Sequence, residues 1–315
     1  MTYLVTGGAG FIGSNIVKRL IDLGKKVRVI DNFSSGGRAN IEPHLDELEL
    51  IEGDIRDFWT VAKAVEGVDY IFHQAALPSV PRSIDNPLTS NEVNINGTLN
   101  VLEAARFFGI KRLIYASSSS IYGDTEVMPK RENMAPSPLS PYAITKLAGE
   151  RYCQIFYRLY GLETVALRYF NVFGPHQNPY SQYSAVIPKF ITKLLAGKKP
   201  LIYGDGSQSR DFTFIENVVG ANLLACETDE CLGRVINIAC GKEFTLNMLV
   251  RKLQEIIGSD IEIEYADSQP GDVQRSIADI TDAEKYLGYK VQVGFEEGLK
   301  RTVDYFRDKM STGNG

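Results

Sequence analysis

Cysteine and histidine, the residues that most often bind transition metals or form disulfides, are scarce in this chain. Its 315 residues include four cysteines and three histidines. Their positions match no metal-binding spacing, and a disulfide framework is not expected at this size and cysteine density. The sequence therefore predicts no metal centre, and it predicts reduced, packed thiols at Cys153, Cys226, Cys231 and Cys240.

The chain also lacks long apolar runs and an excess of positive charge. No apolar stretch approaches the ~20 residues that a membrane-spanning helix requires. The N-terminus enters a strand directly, without the basic and apolar regions of a signal peptide. The formal net charge of −5 offers no basic surface for nucleic acid. We expect a cytoplasmic protein that binds neither membranes nor nucleic acid.

Short apolar segments alternate with helical patterns over the first half of the chain. Strands are predicted at residues 3–6, 26–31, 48–54, 69–76, 112–118 and 164–171. Helices are predicted at residues 14–23, 61–65, 92–108 and 142–160. Strand–helix alternation with nearly continuous apolar strands predicts an α/β fold, in which a doubly wound parallel sheet is covered by helices on both faces.

The alternation ends after Asn171. Helices are predicted at residues 188–195 and 246–257, a further strand at 234–239, and irregular structure from about Ile261. These segments predict a smaller C-terminal domain of mixed α/β structure, partly interleaved with the first. We expect residues 1–171, with a return segment at about 212–239, to form the first domain. Residues 172–211 and 240–310 would form the second, and 311–315 a frayed tail.

The first loop is rich in glycine. TGGAGFIG (6–13) follows the first strand and opens the first helix, with Gly7, Gly10 and Gly13 in a G-x-x-G-x-x-G pattern. Such glycines let the backbone approach a pyrophosphate at a helix N-terminus, where free N–H groups favour negative charge. Asp31 ends the second strand, and a carboxylate there would accept hydrogen bonds from a ribose 2′-OH and repel a 2′-phosphate. The loop predicts a dinucleotide site that prefers NAD to NADP.

A tyrosine and a lysine form the second candidate site. In SPYAITK (140–146), Tyr142 and Lys146 would share one face of a helix. A phenol with a pKa of ~10 is not a base near neutral pH, but a nearby ammonium and a positively charged nicotinamide would lower that pKa. The serine run 117–120 ends a strand, where ligands of open parallel sheets bind. A hydroxyl there could hold the reacting oxygen of a substrate beside the tyrosine, and could relay its proton.

At these residues the chain resembles the extended short-chain dehydrogenase/reductases, and among them the nucleotide-sugar 4-epimerases. The shared motifs are TGGAGFIG, DN (31–32), GDI (53–55), HQAA (73–76), SSSSIYG, SPYAITK, RYFNVFGP (168–175), RDF (210–212) and PGD (270–272). SVPRS (79–83), SAVIPKF (184–190) and GDVQRSIAD (271–279) resemble most the members that act on UDP-N-acetylhexosamines. The resemblance implies a Rossmann domain that holds NAD tightly, and a C-terminal domain that binds a UDP-sugar.

The resemblance also implies a role for each matching residue. The catalytic set would be Ser118, Tyr142 and Lys146. The cofactor would be contacted by Tyr142 and Lys146 and by Gly7, Gly10, Phe11, Ile12, Gly13, Asp31, Asn32, Ser35, Asp54, Ile55, Gln74, Ala75, Ala76, Asn94, Ser117 and Tyr169. The substrate would be contacted by Arg82, Ser118, Asn171, Ala185, Val186, Tyr203, Arg210, Gln269, Asp272 and Ser276.

The two residues after Ser118 distinguish reactions within the family. Related 4,6-dehydratases carry an Asp–Glu pair there and decarboxylases keep a glutamate, whereas this chain has Ser119 and Ser120. The resemblance therefore implies reversible inversion at C4 through a 4-keto sugar. Tyr142 would remove the C4 hydroxyl proton, and the hydride would pass to NAD⁺ and return to the opposite face, so that NAD is regenerated in each cycle.

The identity of the sugar depends on three positions. In the family, a tyrosine at the position of Ser276 restricts the pocket to glucose and galactose, so a serine leaves room for an N-acetyl group. We expect UDP-GlcNAc/UDP-GalNAc, and also UDP-Glc/UDP-Gal. Gln269 replaces a common arginine and occurs in uronate-specific relatives, and Pro78 replaces the lysine of glucose-specific members. A UDP-glucuronate or UDP-N-acetylhexosaminuronate 4-epimerase is therefore the alternative.

Two further hypotheses belong to other functional classes. One is a catalytically silent NAD-binding sensor, although such modules usually lose Tyr142 or Lys146. The other is an NAD-linked dehydrogenase or ketoreductase with net turnover. We also expect a homodimer, because two helices carry apolar residues beyond one core-facing stripe, and in this family they pair as a four-helix bundle. These residues are Leu99, Val101, Leu102, Phe156, Tyr157, Leu159 and Tyr160.

Overall fold

The computed structural model describes residues 1–179, 185–267 and 273–311. Its strands, in chain order, are β1 (Thr2–Thr6), β2 (Lys26–Asp31), β3 (Leu48–Glu52), β4 (Tyr70–His73), β5 (Arg112–Ser118), β6 (Glu163–Tyr169), β7 (Val172–Phe173), β8 (Leu201–Tyr203), β9 (Ser209–Arg210), β10 (Thr213–Phe214), β11 (Val235–Ile238), β12 (Phe244–Thr245), β13 (Glu264–Ala266) and β14 (Arg275–Ser276).

The helices surround these strands. They are α1 (Phe11–Asp22), α2 (Phe58–Val65), α3 (Val80–Asp85), α4 (Pro87–Asn91), α5 (Gly97–Phe107), α6 (Pro141–Tyr160), α7 (Val186–Leu195), α8 (Ile215–Glu227), α9 (Leu246–Ile257), α10 (Thr281–Leu287) and α11 (Phe295–Ser311). A π-helical turn, Glu92–Asn96, joins α4 to α5, and 3₁₀ turns lie at Arg38–Asn40, Glu42–Glu47 and Ser119–Tyr122. The predicted strand at 69–76 is shorter than expected, and α1 begins three residues earlier than expected, at Phe11.

The central sheet has seven parallel strands in the order β11-β6-β5-β4-β1-β2-β3. Side chains of β1 alternate between the two faces: Tyr3 and Val5 pack with α1 and α8, and Leu4 packs with α2 and α5. Because helices cover both faces, successive residues of a strand are all buried, which explains the continuous apolar runs. The predicted doubly wound parallel fold is confirmed.

The sheet reverses its strand order between β1 and β4, and this is where open α/β sheets bind ligands. Thr6 at the end of β1 lies opposite His73 at the end of β4. The glycine loop after β1 is therefore placed directly beside the segment 74–76 that follows β4.

The C-terminal part of the chain is more regular than we expected. The prediction of irregular structure after Ile261 is wrong, because α10 and the 17-residue helix α11 lie there. Phe295, Leu299, Val303 and Phe306 follow a helical period and bury one face of α11 among the apolar residues of α7 and α9. Ser311 ends α11 and so does not begin a tail, and residues 312–315 lie outside the described part of the chain.

The apolar residues predicted to form a dimer surface differ in how far the protomer buries them. Val101, Leu102 and Phe156 are buried within the protomer, so that part of the prediction is wrong. They face the core because α5 and α6 pack flat against the sheet. On α6, Tyr157, Leu159 and Tyr160 are exposed over 36%, 70% and 51% of their surface, and Leu99 on α5 is half-buried. The homodimer stays a prediction, and it now depends on the exposed apolar residues of α6.

A buried ion pair joins the sheet to α6. Arg168 on β6 donates two hydrogen bonds of 2.8 Å to the carboxylate of Glu150, and both side chains are almost fully buried. The hydroxyl of Ser117 donates to the same carboxylate at 2.6 Å. The guanidinium also lies 4.7 Å from the ring centre of Tyr122. Together these contacts raise the pKa of Arg168, although burial alone would lower it.

We predict that Glu150→Gln lowers the free energy of unfolding by about 3 kcal/mol, since the Arg168 charge then stays buried without its partner. Urea unfolding followed by circular dichroism measures this difference. The matched control is Asp22→Asn, which breaks the exposed Lys18–Asp22 pair and should cost less than about 1 kcal/mol. Equal costs for the two variants would contradict the assigned role of the buried pair.

Candidate active site

The glycine loop holds the backbone close to a neighbouring segment and leaves a helix end open. Gly7 has a φ of +67°, and a Cβ there would lie 2.8 Å from the backbone of Ala75. A Cβ on Gly13 would collide with the carbonyl oxygen of Gly7. Within the described residues, α1 has neither a side-chain N-cap nor an acidic residue in its first turn. The N–H groups of Phe11 to Gly13 are thus suited to a pyrophosphate.

Asp31 holds the glycine loop in place through hydrogen bonds within the protein. Its carboxylate accepts the N–H of Ala9 at 2.9 Å and the N–H of Phe33 at 2.8 Å. Burial raises the pKa of Asp31, and these hydrogen bonds oppose that rise. The carboxylate therefore ties the end of β2 to the glycine loop at the place where an adenosine ribose is expected.

The residues predicted to lie at the adenine end also lie together. The amide of Asn32 donates to the carboxylate of Asp54 at 2.9 Å, and hydrogen bonds from Arg56 lower the pKa of Asp54. Ser35 is exposed on the loop after β2, and Ile55 is buried. This edge of the site is polar and open, and its charge is largely paired.

The segment after β4 forms a second polar cluster. The side chain of Gln74 donates to Tyr169 at 3.2 Å and to Asn222 at 3.3 Å. The Tyr169 hydroxyl donates to the Asn222 side chain at 3.0 Å, and burial raises the pKa of Tyr169 to about 12. Sequence analysis missed Asn222, because it lies on α8 far along the chain and in no recognised motif.

A buried histidine links the glycine loop to the helices. The hydroxyl of Thr6 accepts the N–H of Ala75 at 3.1 Å and lies 2.7 Å from Nδ1 of His73. On the other side of the ring, Nε2 lies 2.9 Å from the hydroxyl of Thr98, which donates to the carbonyl of Asn94. Nε2 must therefore carry the proton, and Nδ1 accepts from Thr6. Burial lowers the pKa of His73 to about 3, so the ring is neutral.

Asn94 continues this connection to the catalytic helix. Its side chain accepts the N–H of Leu77 at 2.8 Å and donates to the hydroxyl of Thr145 at 3.0 Å. That hydroxyl donates to the carbonyl of Tyr142 at 2.7 Å. Asn94 thus supports the site through protein contacts, and a chain of hydrogen bonds connects the glycine loop to Tyr142.

The three predicted catalytic residues meet at the carboxyl end of β5. Ser118 is the last residue of that strand, and its side chain interacts with that of Tyr142. Tyr142 lies in the first turn of α6, which Ser140 caps by accepting the N–H of Ala143. Lys146 lies one turn later, with its ammonium 6.0 Å from the Tyr142 ring centre.

Burial is the main influence on the pKa values of Tyr142 and Lys146. Burial raises the pKa of Tyr142, and the hydrogen bond from Ser118 opposes that rise. Burial lowers the pKa of Lys146 to about 8, and its ammonium donates to the carbonyl of Ala116 at 2.8 Å. In the protein alone the phenol is therefore protonated near neutral pH. A further positive charge beside the ring is needed to ionise it.

The predicted substrate residues lie on several short elements. Ser276 on β14 lies opposite Arg210 on β9, whose guanidinium donates to the carbonyl of Ser209 at 2.8 Å. The side chain of Asn171 donates to the carbonyl of Asp211 at 3.5 Å, and Tyr203 is 41% exposed.

Two more elements bring predicted substrate residues to the site. Ala185 precedes the first residue of α7, Val186. Arg82 lies on α3 and lines a cleft of about 250 Å³. α3 is fastened to the catalytic helix, because the Tyr142 N–H donates to the buried hydroxyl of Ser83 at 3.0 Å. Gln269 and Asp272 lie outside the described residues.

Two classes of feature are absent from the part of the chain that the structure describes. No group of three or more His, Cys, Asp or Glu side chains is placed to hold a metal ion. No helix in residues 1–179, 185–267 or 273–311 is both long enough and apolar enough to cross a bilayer.

We predict that Gly13→Ala lowers the free energy of unfolding by about 1–3 kcal/mol, because the added Cβ forces the glycine loop apart, and that the purified variant carries less NAD. The matched control is Gly220→Ala in α8, where a Cβ meets open space and should stabilise by up to ~1 kcal/mol. Urea unfolding and the NAD released on denaturation measure both effects. Full NAD content in Gly13→Ala would contradict the assigned pyrophosphate site.

We predict that His73 makes stability fall with acid. Because the folded pKa is about 3 and that of a histidine in an unfolded chain is 6.5, only the unfolded chain binds the proton between these values, so stability is lost as pH falls from about 6.5 towards 3. His73→Gln should flatten this slope in urea unfolding at several pH values, while His44→Gln should keep it. Carboxylates titrate alike in all three proteins, so unchanged slopes in His73→Gln would contradict the buried neutral ring.

Comparisons with known proteins agree with this geometry. A family model described as the NAD dependent epimerase/dehydratase family matches residues 3–239. A putative UDP-glucose 4-epimerase of Methanocaldococcus jannaschii is 39% identical over 311 residues, covering 98% of this chain and 99% of that protein. A UDP-glucuronate 4-epimerase of Thermodesulfobacterium geofontis is 35% identical over 319 residues, covering 98% and 97%.

A solved structure is similar over its whole length. It is the UDP-N-acetylglucosamine 4-epimerase of Methanobrevibacter ruminantium M1 in complex with UDP-N-acetylmuramic acid. It is 45% identical, superposes with a TM-score of 0.94, and the match covers 98% of this chain and 99% of that one. The family model extends over most of the chain, and the relatives align from end to end. The chain therefore belongs to the NAD dependent epimerase/dehydratase family, and NAD is its cofactor.

Proposed function

We propose that this protein is a UDP-sugar 4-epimerase that acts on UDP-GlcNAc/UDP-GalNAc and also on UDP-Glc/UDP-Gal. One observation carries the proposal: Ser118, Tyr142 and Lys146 meet at the strand ends beside the glycine loop, and two serines follow Ser118. Elimination or decarboxylation would require an acid or base at those two positions. Three relatives that align over nearly the whole chain are named as UDP-sugar 4-epimerases, which supports the same chemistry.

Each catalytic residue has a distinct task in this proposal. Bound NAD supplies the hydride acceptor and then the hydride donor at C4 of the sugar. Tyr142 takes the proton of the C4 hydroxyl and later returns it. Lys146 favours the ionised tyrosine through its charge, while its bond to the Ala116 carbonyl fixes the ammonium in place. Ser118 holds the phenol oxygen by a hydrogen bond.

The choice of sugar is proposed from the pocket near Ser276. This residue is buried and small, and it lies opposite Arg210, a proposed ligand of the diphosphate. A side chain of this size leaves space for an N-acetyl group. A uronate is the second candidate, because one relative is named as a UDP-glucuronate 4-epimerase. The silent-sensor hypothesis is disfavoured, since the three catalytic side chains are present and close together.

A homodimer is part of the proposal. On α6 the side chains of Leu159 and Tyr160, and on α5 that of Phe107, are exposed apolar surfaces. Helices that present such surfaces pair readily about a two-fold axis. Neither the cofactor site nor the catalytic residues described above require a second protomer.

We predict that Tyr142→Phe lowers kcat by about 10²–10⁴-fold, because the proton of the C4 hydroxyl then has no acceptor. NMR of the purified enzyme with UDP-GlcNAc, and with no NAD added, measures the conversion. The matched control is Tyr152→Phe, on the same helix but packed against the apolar core that α2, α5 and α6 form with the sheet, which should keep its activity. Normal turnover by Tyr142→Phe would overturn the catalytic assignment.

We predict that Ser276→Tyr abolishes turnover of UDP-GlcNAc and retains that of UDP-Glc, because the larger side chain fills the space of the N-acetyl group. Ser276→Ala, the control, should act on both. The same NMR assay with UDP-GlcNAc, UDP-Glc and UDP-glucuronate compares the three proteins. Wild-type turnover of UDP-glucuronate alone would replace the proposed substrates with the uronate.

A further inference from the structure

The catalytic serine is held by the second serine after it. Ser118 ends β5 in an extended conformation and begins the 3₁₀ turn Ser119–Tyr122. The hydroxyl oxygen of Ser118 lies 2.9 Å from that of Ser120 and 3.2 Å from the Ser120 nitrogen. The side chain of Ser118 also interacts with that of Tyr142 and opposes the rise in its pKa. Three neighbours thus compete for one hydroxyl.

The proton of Ser118 has one best acceptor among these neighbours. A hydroxyl has one proton to donate and two lone pairs that accept. The Ser120 N–H can only donate, so it takes one lone pair. When Tyr142 is ionised, its oxygen attracts the Ser118 proton more strongly than a neutral hydroxyl does, since hydrogen bonds to charged groups are stronger. The Ser120 hydroxyl must then donate, and it takes the second lone pair.

We propose that Ser120 is a positioning residue that holds Ser118 as a hydrogen-bond donor to Tyr142. This inference rests on the proposed epimerase function. With both lone pairs of Ser118 occupied, its oxygen has no place to accept the proton of the sugar hydroxyl. That proton passes directly from the C4 oxygen to the Tyr142 oxygen, as the hydride leaves C4. The Ser118 proton stays on Ser118 throughout, and the return step reverses the same transfer.

This arrangement alters one expectation from the sequence. A relay through Ser118 would need a free lone pair on its oxygen to accept the sugar proton while its own proton leaves for Tyr142. Ser120 prevents this by occupying both lone pairs, through its N–H and its hydroxyl. The serine run therefore contains Ser118, which acts on Tyr142, and Ser120, which orients Ser118.

The neighbouring serine provides a matched control. Within the described residues, the hydroxyl of Ser119 makes no hydrogen bond, and its surface is partly exposed, as is that of Ser120. Ser119 and Ser120 belong to the same 3₁₀ turn. Removing either hydroxyl deletes one oxygen from the same turn, so any difference between the two variants reports the bond to Ser118.

The test compares Ser120→Ala, Ser120→Thr and Ser119→Ala with the wild-type enzyme, all loaded with NAD. With UDP-GlcNAc, Ser120→Ala should lower kcat about tenfold, the equivalent of one hydrogen bond in the transition state, with KM within about twofold. Ser120→Thr keeps the hydroxyl and should restore kcat. Ser119→Ala should match the wild type. The proposal is overturned if Ser119→Ala loses as much kcat as Ser120→Ala. It is also overturned if kcat does not recover in Ser120→Thr.

A second measurement needs no substrate and separates this inference from the proposed function. The ultraviolet difference spectrum between each protein and its Tyr142→Phe counterpart follows ionisation of Tyr142 alone. A donor to the phenolate lowers its pKa, so Ser120→Ala should titrate at higher pH than the wild type, and Ser120→Thr should not. An unchanged titration in Ser120→Ala overturns the positioning role. Absence of epimerisation in the wild type, with the shift present, overturns only the proposed reaction.

Discussion

A neutral imidazole buried between the sheet and α5 is the contact on which the geometry of this site depends. His73 accepts from Thr6 on β1 and donates to Thr98 on α5, so the ring can hold only one tautomer. Burial disfavours a charged ring, and the nearby ammonium of Lys146 lowers the pKa of His73 further. The site thus joins its cofactor loop to its catalytic helix through neutral hydrogen bonds, which do not change with the charge of a bound ligand.

Around Tyr142, in contrast to the neutral contacts of His73, the groups depend on charge. Burial lowers the pKa of Lys146 to about 8 and raises that of Tyr142, so near neutral pH the lysine is mainly charged while the phenol is protonated. The charge of Arg168 is paired with Glu150, which also accepts from Ser117. The ammonium of Lys146 instead donates to a backbone carbonyl, that of Ala116. A positive cofactor ring completes the charge that the phenolate needs, which couples the reactivity of the tyrosine to occupancy of the dinucleotide site.

Much of the fold and of the candidate site could be predicted from the sequence. What could not be predicted has physical causes. The segments 26–31, 112–118 and 246–257 have the predicted bounds, because an apolar period and a clear terminal signal occur together in them. The helices after Ile261 were missed, since charged residues surround the apolar period of α11. Asn222, Thr98 and Thr145 act only through contacts between separate elements, and no local pattern marks them. Ser120 was visible only as part of a serine run, whose directions of donation need coordinates.

A buried carboxylate, that of Asp211, joins the C-terminal elements to the central sheet. Asp211 follows β9 and is fully buried; it accepts the N–H groups of Cys240 and Gly241 at 2.9 Å each and that of Ala278 at 3.2 Å. Burial raises its pKa to about 6 against the effect of these bonds. The two donors at 240–241 follow β11 of the main sheet, whereas Ala278 follows β14, which carries Ser276. Because backbone groups make this junction, the side chain at 276 can change in size while the strand keeps its place. Under the proposed function, the substrate range could therefore change at Ser276 without moving Arg210 or Tyr142.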